Sequence, residues 1–191
     1  MGSGMVQIND LVPFMDVNLQ TERLVLRALR PDDAPTIAQL AGHREIADTT
    51  LSIPHPYSVE KAQEWIATHA GPQNTTKQLV FGITTRADGQ LIGTVGLREI
   101  DIEHCHAEMG FWIGVGCWGN GYATEAAKAV IRYGFAELKL NRIYAHHMVR
   151  NPASGRVLEK IGMKREGLLR QRVRKWGVFE DVVLMAILRA D

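Results

Sequence analysis

Apolar residues recur along this chain with two different periods. Arg23 to Ala28 alternates, with Leu24 and Leu26 on one side, and reads as a first strand. Asp32 or Asp33 can cap a short helix reaching about Leu40. After a loop with two prolines between Ser52 and Tyr57, Ser58 caps a second helix whose Val59, Ala62, Trp65 and Ile66 share a face. Leu79–Thr85 and Gln90–Ile100 are β-rich runs joined by Ala87-Asp88-Gly89, a hairpin signal. Asp101 to His106 reads as another turn and Ala107 to Val115 as a third consecutive antiparallel strand. Ala123, Ala126, Ala127, Val130, Ile131, Gly134, Phe135 and Leu138 then repeat at steps of three and four, the clearest helix. Arg142 to Val149 is strand-like. Asn151-Pro152 supplies an N-cap with proline at the first helical position, Ala153, Val157, Leu158 and Ile161 form the inward stripe, and Gly162 is a stop. Leu168–Lys175 and Phe179–Leu188 alternate around Trp176-Gly177-Val178, a final hairpin. The pattern predicts an α/β domain with a mixed, mostly antiparallel sheet of about seven strands flanked by about four helices. The strand–helix–strand unit in the middle should introduce one parallel pair by a right-handed crossover.

Composition adds exclusions. The 191 residues suit one domain, assigned to 19–191, with 1–18 an N-terminal extension whose Met1-Gly2-Ser3-Gly4 reads as an expression remnant. Hydrophobic residues make up 46% and charged residues 23%, which argues against disorder. The 22 basic and 21 acidic residues leave a net charge of +1, so no global field exists to capture nucleic acid or a membrane surface. The longest strictly apolar run, Val182 to Leu188, is far short of a membrane span. Cys105 and Cys117 cannot build a disulfide framework, and a cytoplasmic setting is expected.

The most informative stretch is Gly114-Val115-Gly116-Cys117-Trp118-Gly119-Asn120-Gly121-Tyr122-Ala123-Thr124-Glu125, between a strand and the clearest helix. Its glycines let backbone approach a ligand closely, and the first-turn N–H groups with the helix dipole favour an anion. It is neither a Walker loop nor a dinucleotide fingerprint, because no Gly-Lys-Ser/Thr ends it and no βαβ unit opens the chain. On glycine content alone, a phosphate site and a ligand-free tight turn are both open.

Trp118 to Ala126 resembles the acetyl-CoA loop of the GNAT N-acetyltransferase superfamily, and in particular its ribosomal-protein-alanine N-acetyltransferase (RimJ/RimL-type) branch. Gly121-Tyr122-Ala123 fits the second half of the superfamily pattern, while Trp118 stands where Arg or Gln is usual. Three further blocks are similar to the branch, in order: Thr21–Arg27, Ala107–Ile113, and Asn151–Ser154 with Leu158–Met163.

The resemblance implies a GNAT fold and direct transfer of an acetyl group from acetyl-CoA to a primary amine, with no metal and no covalent enzyme intermediate. Backbone groups at Ile113, Gly114 and Val115 should then hold the pantetheine like an added strand. Amides from Gly119 through Asn120, Gly121, Tyr122 and Ala123 to Thr124 should cradle the pyrophosphate. Asn151 is an N-cap by sequence and, by resemblance, a contact to pantetheine or substrate. Arg156 is either a CoA phosphate ligand or a surface residue. Many superfamily members place a Tyr four residues beyond the Ser154 position as the thiolate's acid. Here that position is Leu158, and the resemblance moves the role to Ser154. Glu108 is the expected base, with Glu99 and His106 behind it.

Other clusters have plainer readings. His104-Cys105-His106 points alternately on an extended chain and is expected to be an exposed hairpin rather than a metal site. His146 and His147 face opposite ways, one expected in the core and one on the surface. Arg170, Arg172 and Arg174 should share one face of a solvated edge strand. The acceptor cleft is expected between Ile53–Ser58, the helix around Trp65, and the Trp176-Gly177-Val178 turn. A protein or peptide N-terminus is the expected acceptor. A small amine such as a polyamine, amino acid or antibiotic, and a non-catalytic acyl-CoA-binding module, are the alternatives. Monomer and homodimer both remain open.

Overall fold

The computed structural model describes residues 17–69 and 78–191. The expected expression remnant and nearly all of the extension lie outside the described residues. Eight strands are found among them: β1 (Leu19–Gln20), β2 (Leu24–Ala28), β3 (Gln78–Thr85), β4 (Leu91–Asp101), β5 (His106–Ile113), β6 (Arg142–Met148), β7 (Lys164–Lys175) and β8 (Val178–Leu188). The α-helices are α1 (Ala34–Ala41), α2 (Arg44–Thr49), α3 (Val59–Ala67), α4 (Tyr122–Ala136) and α5 (Pro152–Lys160). One sheet runs β1-β2-β3-β4-β5-β6-β8-β7, antiparallel throughout except at β5–β6. The architecture is the expected α/β one, with β1 and α2 added to the strands and helices that periodicity reveals.

The sheet separates two apolar layers. On one face α4 and α5 bury Ala126, Ala127, Val130 and Leu158 against Leu24, Leu26, Val95, Leu97, Ala107, Met109 and Ile143. On the other, α1 and α3 pack Ile37, Ala41, Ala62 and Ile66 together with Leu91, and Trp112 leans on them. Alternation along the strands therefore sends Arg98, Glu108, Gly110, Trp112, Tyr144 and His146 to the α1–α3 face.

The crossover through α4 makes β5 and β6 parallel, and their pairing is short. Only His106↔Arg142, Ala107↔Ile143 and Glu108↔Tyr144 are in register. Beyond Glu108 the two strands part, although β5 continues to Ile113 and β6 to Met148. The Gly114 N–H donates to the Ile92 carbonyl at 2.8 Å on the β4 side. By the alternation of an antiparallel ladder, the main-chain groups of Met109, Phe111 and Ile113 then point the other way, into the gap that β6 has left.

Candidate active site

A cavity of about 1100 Å³ runs through this split and opens on both faces of the sheet. That exceeds the usual size of a small-ligand pocket and leaves room for two reactants. Of the residues expected at the site, Glu108, Ile113, Gly119, Gly121, Tyr122, Ala123, Thr124, Asn151, Ser154 and Arg156 line it. Gly114, Val115 and Asn120 do not. The Gly114 N–H is spent on β4, and Val115 starts a 3-10 turn, Val115–Cys117, whose carbonyl accepts from Trp118 N–H. The unpaired strand edge thus lies earlier than expected, at Met109–Ile113.

Two left-handed glycines shape the loop before α4: Gly119 at φ +79° and Gly121, the N-cap, at φ +79°. Gly121 turns the chain so that the first-turn N–H groups of α4, which have no partner within the helix, face the cavity end. Asn120 works as a brace, its amide donating to the Cys117 and Trp118 carbonyls. Trp118 does the same for the strand end, its indole N–H donating to the Ile113 carbonyl at 2.6 Å. Arg23 reaches across from the chain just before β2. It donates to the Asn120 carbonyl at 3.0 Å and to Glu125 at 2.7 Å, and lies 4.8 Å over the Tyr122 ring. By sequence alone Arg23 is part of the first strand. Its partners lie about a hundred positions on, and no local pattern reports that distance.

At the apex of the split sits a polar cluster on the α1–α3 face. Glu108 is only 5% exposed. Arg98 of β4 donates to both of its oxygens, at 3.0 and 2.7 Å, and His146 Nδ1 lies 3.0 Å from Oε1. Burial pushes the Glu108 carboxyl up, but the bonds from His146 and Arg98 outweigh it and hold the group below the usual carboxylate range. Gly110, the next residue on this face of β5, is exposed in mid-sheet, and a Cβ built on it meets nothing within 4 Å. His146 and His147 do face opposite ways, but neither is core or free surface. Both line the cavity, and His147 packs against Gly155 of α5, where a Cβ would sit 3.0 Å from its ring.

The N-terminus of α5 closes the α4 side. Asn151 Oδ1 accepts from the Ser154 N–H at 3.2 Å, the cap that the sequence predicts. Ser154 lines the cavity beside it. Leu158 is fully buried and also reaches the cavity wall.

The opposite wall is formed by Ile53, Pro54, Tyr57 and Trp65, as expected, joined by Thr49 at the end of α2 and residues 50–52 after it. The Trp176-Gly177-Val178 turn is absent from this lining. Its Trp176 indole donates instead to Asp48 of α2, and Lys175 donates to the Ile53 carbonyl at 3.1 Å. Arg150 joins the Asp48 carbonyl to Glu180. The hairpin therefore supports this wall from behind. Arg170, Arg172 and Arg174 are exposed on the edge strand β7, away from the cavity. The expected shared face does not run through them, because pairing with β8 is irregular between Leu169 and Val173 and Gln171 adopts φ +49°. Cys105 turns the chain at φ +53°, and His104 bonds Asp101. Among the described residues no group of three or more His, Cys, Asp or Glu side chains could hold a metal ion.

A strand edge left open by a splayed parallel pair, facing a glycine-capped helix N-terminus, is suited to an extended ligand ending in phosphate. Comparison with known proteins agrees. Residues 23–164 match the family model described as "Acetyltransferase (GNAT) domain". The chain is 34% identical over 171 residues to the uncharacterized N-acetyltransferase YoaA of Bacillus subtilis, covering 90% of this chain and 96% of that one. It superposes on spermidine N-acetyltransferase from Vibrio cholerae, solved in complex with CoA and spermine, with a TM-score of 0.77 at 30% identity. That match covers 89% of this chain and 98% of the other. RimJ of Mycobacterium smegmatis shares the fold, with a TM-score of 0.81 at 22% identity over 91% of this chain and 87% of its own. The split sheet and its glycine loop are thus those of an N-acetyltransferase, and the chain belongs to the GNAT acetyltransferase family.

Proposed function

We propose that this N-acetyltransferase moves an acetyl group from acetyl-CoA to a mono-amine, a protein or peptide N-terminus with a small first residue, in the cytoplasm. The observation that carries the acceptor is the charge of the cavity. Its carboxylates among the described residues are Glu64 and Glu108, and Glu108 is already paired with Arg98 and hydrogen-bonded to His146. Lys61, Arg150, Arg156 and Lys160 line the same space. A polyamine taken out of water needs several paired carboxylates, whereas a single amine needs one proton acceptor. The free thiols of Cys105 and Cys117 fit a reducing compartment.

Acetyl-CoA, when bound, supplies an activated acyl group and a thiolate leaving group. The residues of this chain fit it. Open main-chain groups of Met109 and Phe111, with the Ile113 N–H, hold the pantetheine arm as a further strand. The N–H groups at the start of α4 receive the pyrophosphate, and Arg156, in the lining of the same cavity, offers a charge to a CoA phosphate. Ser154, at the first turn of α5, donates a hydrogen bond to the departing sulfur. Proton removal from the amine takes place at the apex cluster anchored by Glu108. Asn151 adds its amide to the pantetheine side.

A competition assay decides the acceptor, with Ala- and Ser-initiated peptides offered beside spermidine and an aminoglycoside and free CoA measured. Preferential acetylation of the peptides is expected. The likeness to the V. cholerae enzyme supports a polyamine as the second reading, and turnover of spermidine with the peptides untouched would establish it.

A further inference from the structure

The geometry points to Nε2 of His146 as the atom that takes the proton from the acceptor amine, with Glu108 and Arg98 as the residues that position it. This rests on acetyl transfer at the site above and not on which amine is the acceptor.

Protonation states follow from the hydrogen bonds. Arg98 donates to both Glu108 oxygens, so the carboxylate is ionised and only accepts. The ring nitrogen 3.0 Å from Oε1, Nδ1 of His146, must therefore carry the hydrogen. In the neutral ring that leaves the lone pair on Nε2, which has no partner among the described residues. Glu108 itself is a poor proton acceptor at neutral pH. It is buried, takes three hydrogen bonds, and its proton affinity is lowered by them.

Position supports the same atom. His146 follows Tyr144, the last residue of β6 paired with β5, by two positions, and its side chain is 19% exposed in the cavity wall. Had the strands stayed in register, Gly110 would lie opposite His146. A side chain at Gly110 would project into open space, so glycine there keeps the volume beside the imidazole clear for a substrate. The ring is held edge-on to Tyr144, with centroids 5.7 Å apart, and the Tyr144 hydroxyl donates to Glu99 at 3.0 Å. His147 points to the other face of the sheet, and His69 is engaged by the Trp65 carbonyl.

The proton balance is simple. The ammonium gives one proton to Nε2, forming an imidazolium that the Glu108 carboxylate stabilises. The free amine forms the N–C bond to the acyl carbon as the C–S bond breaks. The nitrogen sheds its second proton as the amide forms, the thiolate ends as the free thiol, and the imidazolium returns its proton to solvent.

The test combines pH profiles with His146→Gln, His146→Ala and Glu108→Gln. An Ala-initiated peptide and spermidine are both offered, and whichever the wild type turns over serves as acceptor. The charged and titratable groups around His146 are Glu108, Arg98, and Tyr144 with Glu99. Leu184, its partner on β8, is apolar, and Lys61, Glu64 and His69 of the α3 region line the same cavity. The wild-type rate should fall as pH drops and the imidazole is protonated. His146→Gln should lower kcat/KM for the amine by about 10²-fold or more and abolish that fall, while acetyl-CoA affinity by calorimetry stays within about twofold. Imidazole added to His146→Ala should restore rate in proportion to its free base. Glu108→Gln should keep the titrating limb. Independently of turnover, ¹⁵N shifts should show the neutral His146 ring protonated at Nδ1. The Nε2–H tautomer, His146→Gln at a rate within about threefold of wild type, or loss of the limb in Glu108→Gln but not in His146→Gln would each overturn the assignment.

Discussion

Gly110 shows how one residue divides folding from catalysis. It lies in a central strand, where glycine weakens β structure, yet nothing fills the space beside it. Gly110→Val improves strand propensity and puts a branched side chain into the cavity where we propose that the reactants meet. We expect an unchanged melting temperature to within a few degrees and a fall in kcat/KM for the amine of roughly 10²-fold or more; thermal melts and steady-state rates check both halves. Asp33 carries a different lesson. Arg27 grips it at 2.7 and 2.8 Å, and the Arg30 N–H adds a third bond. Burial raises its carboxyl, but these partners outweigh it and leave the group below its ordinary range. A depressed carboxyl stabilises the fold above its unfolded pKa, and that contribution is lost as pH falls through the lower folded value. Asp33→Asn should therefore cost about 3 kcal/mol at pH 7 and flatten the acid limb of a stability–pH curve. Arg27, Asp33 and Glu108 were all visible as residues in the sequence, but their pairings were not. His146 and Glu108 are separated by 38 positions, and only the parallel crossover brings them together.

At the scale of elements, periodicity found what is long or capped. The α4 stripe and the Asn151-Pro152 start of α5 stand as read. β1 has two residues and exists through its pairing with Leu26 and Val25, so no run of alternation could mark it. α2 has six residues and no side-chain N-cap, and its place depends on Arg150 and Trp176 reaching Asp48. The bulge at Gln171 escaped for the same reason: a register break belongs to two strands at once. The start of α4 makes its own prediction. Gly121→Glu forces a side chain into a left-handed conformation, roughly 1–2 kcal/mol of strain, and brings a negative charge to the proposed pyrophosphate site. A Cβ there would also lie 3.5 Å from the Arg23 guanidinium, drawing it from Glu125. Calorimetry should show acetyl-CoA binding lost in a protein that still folds.

At the scale of the molecule, the cavity ties both helical layers to one event. It touches α1 and α3 on one face and α4 and α5 on the other. A ligand filling it and bound by the native state alone stabilises the whole fold by mass action. Acetyl-CoA at a hundred times its Kd should add about 2.7 kcal/mol and raise the melting temperature by roughly 5–10 °C, measured by scanning calorimetry. Desulfo-CoA, with the same phosphates, should give most of that shift, and acetate none.

The early end of the β5–β6 pairing has a further consequence, for the solvent rather than the substrate. A strand with four others on one side and three on the other is where amide protons ordinarily survive longest. Along β5 the survival should instead alternate. Glu108, Gly110 and Trp112 are bonded to β4 and should keep their protons. Met109, Phe111 and Ile113 face the gap and should trade theirs for deuterium as quickly as residues at a sheet's rim. Saturating acetyl-CoA should erase the alternation. If the acyl donor lies along β5 as proposed, the middle of this sheet becomes a rim once in every turnover, bare between the departure of product and the arrival of the next donor.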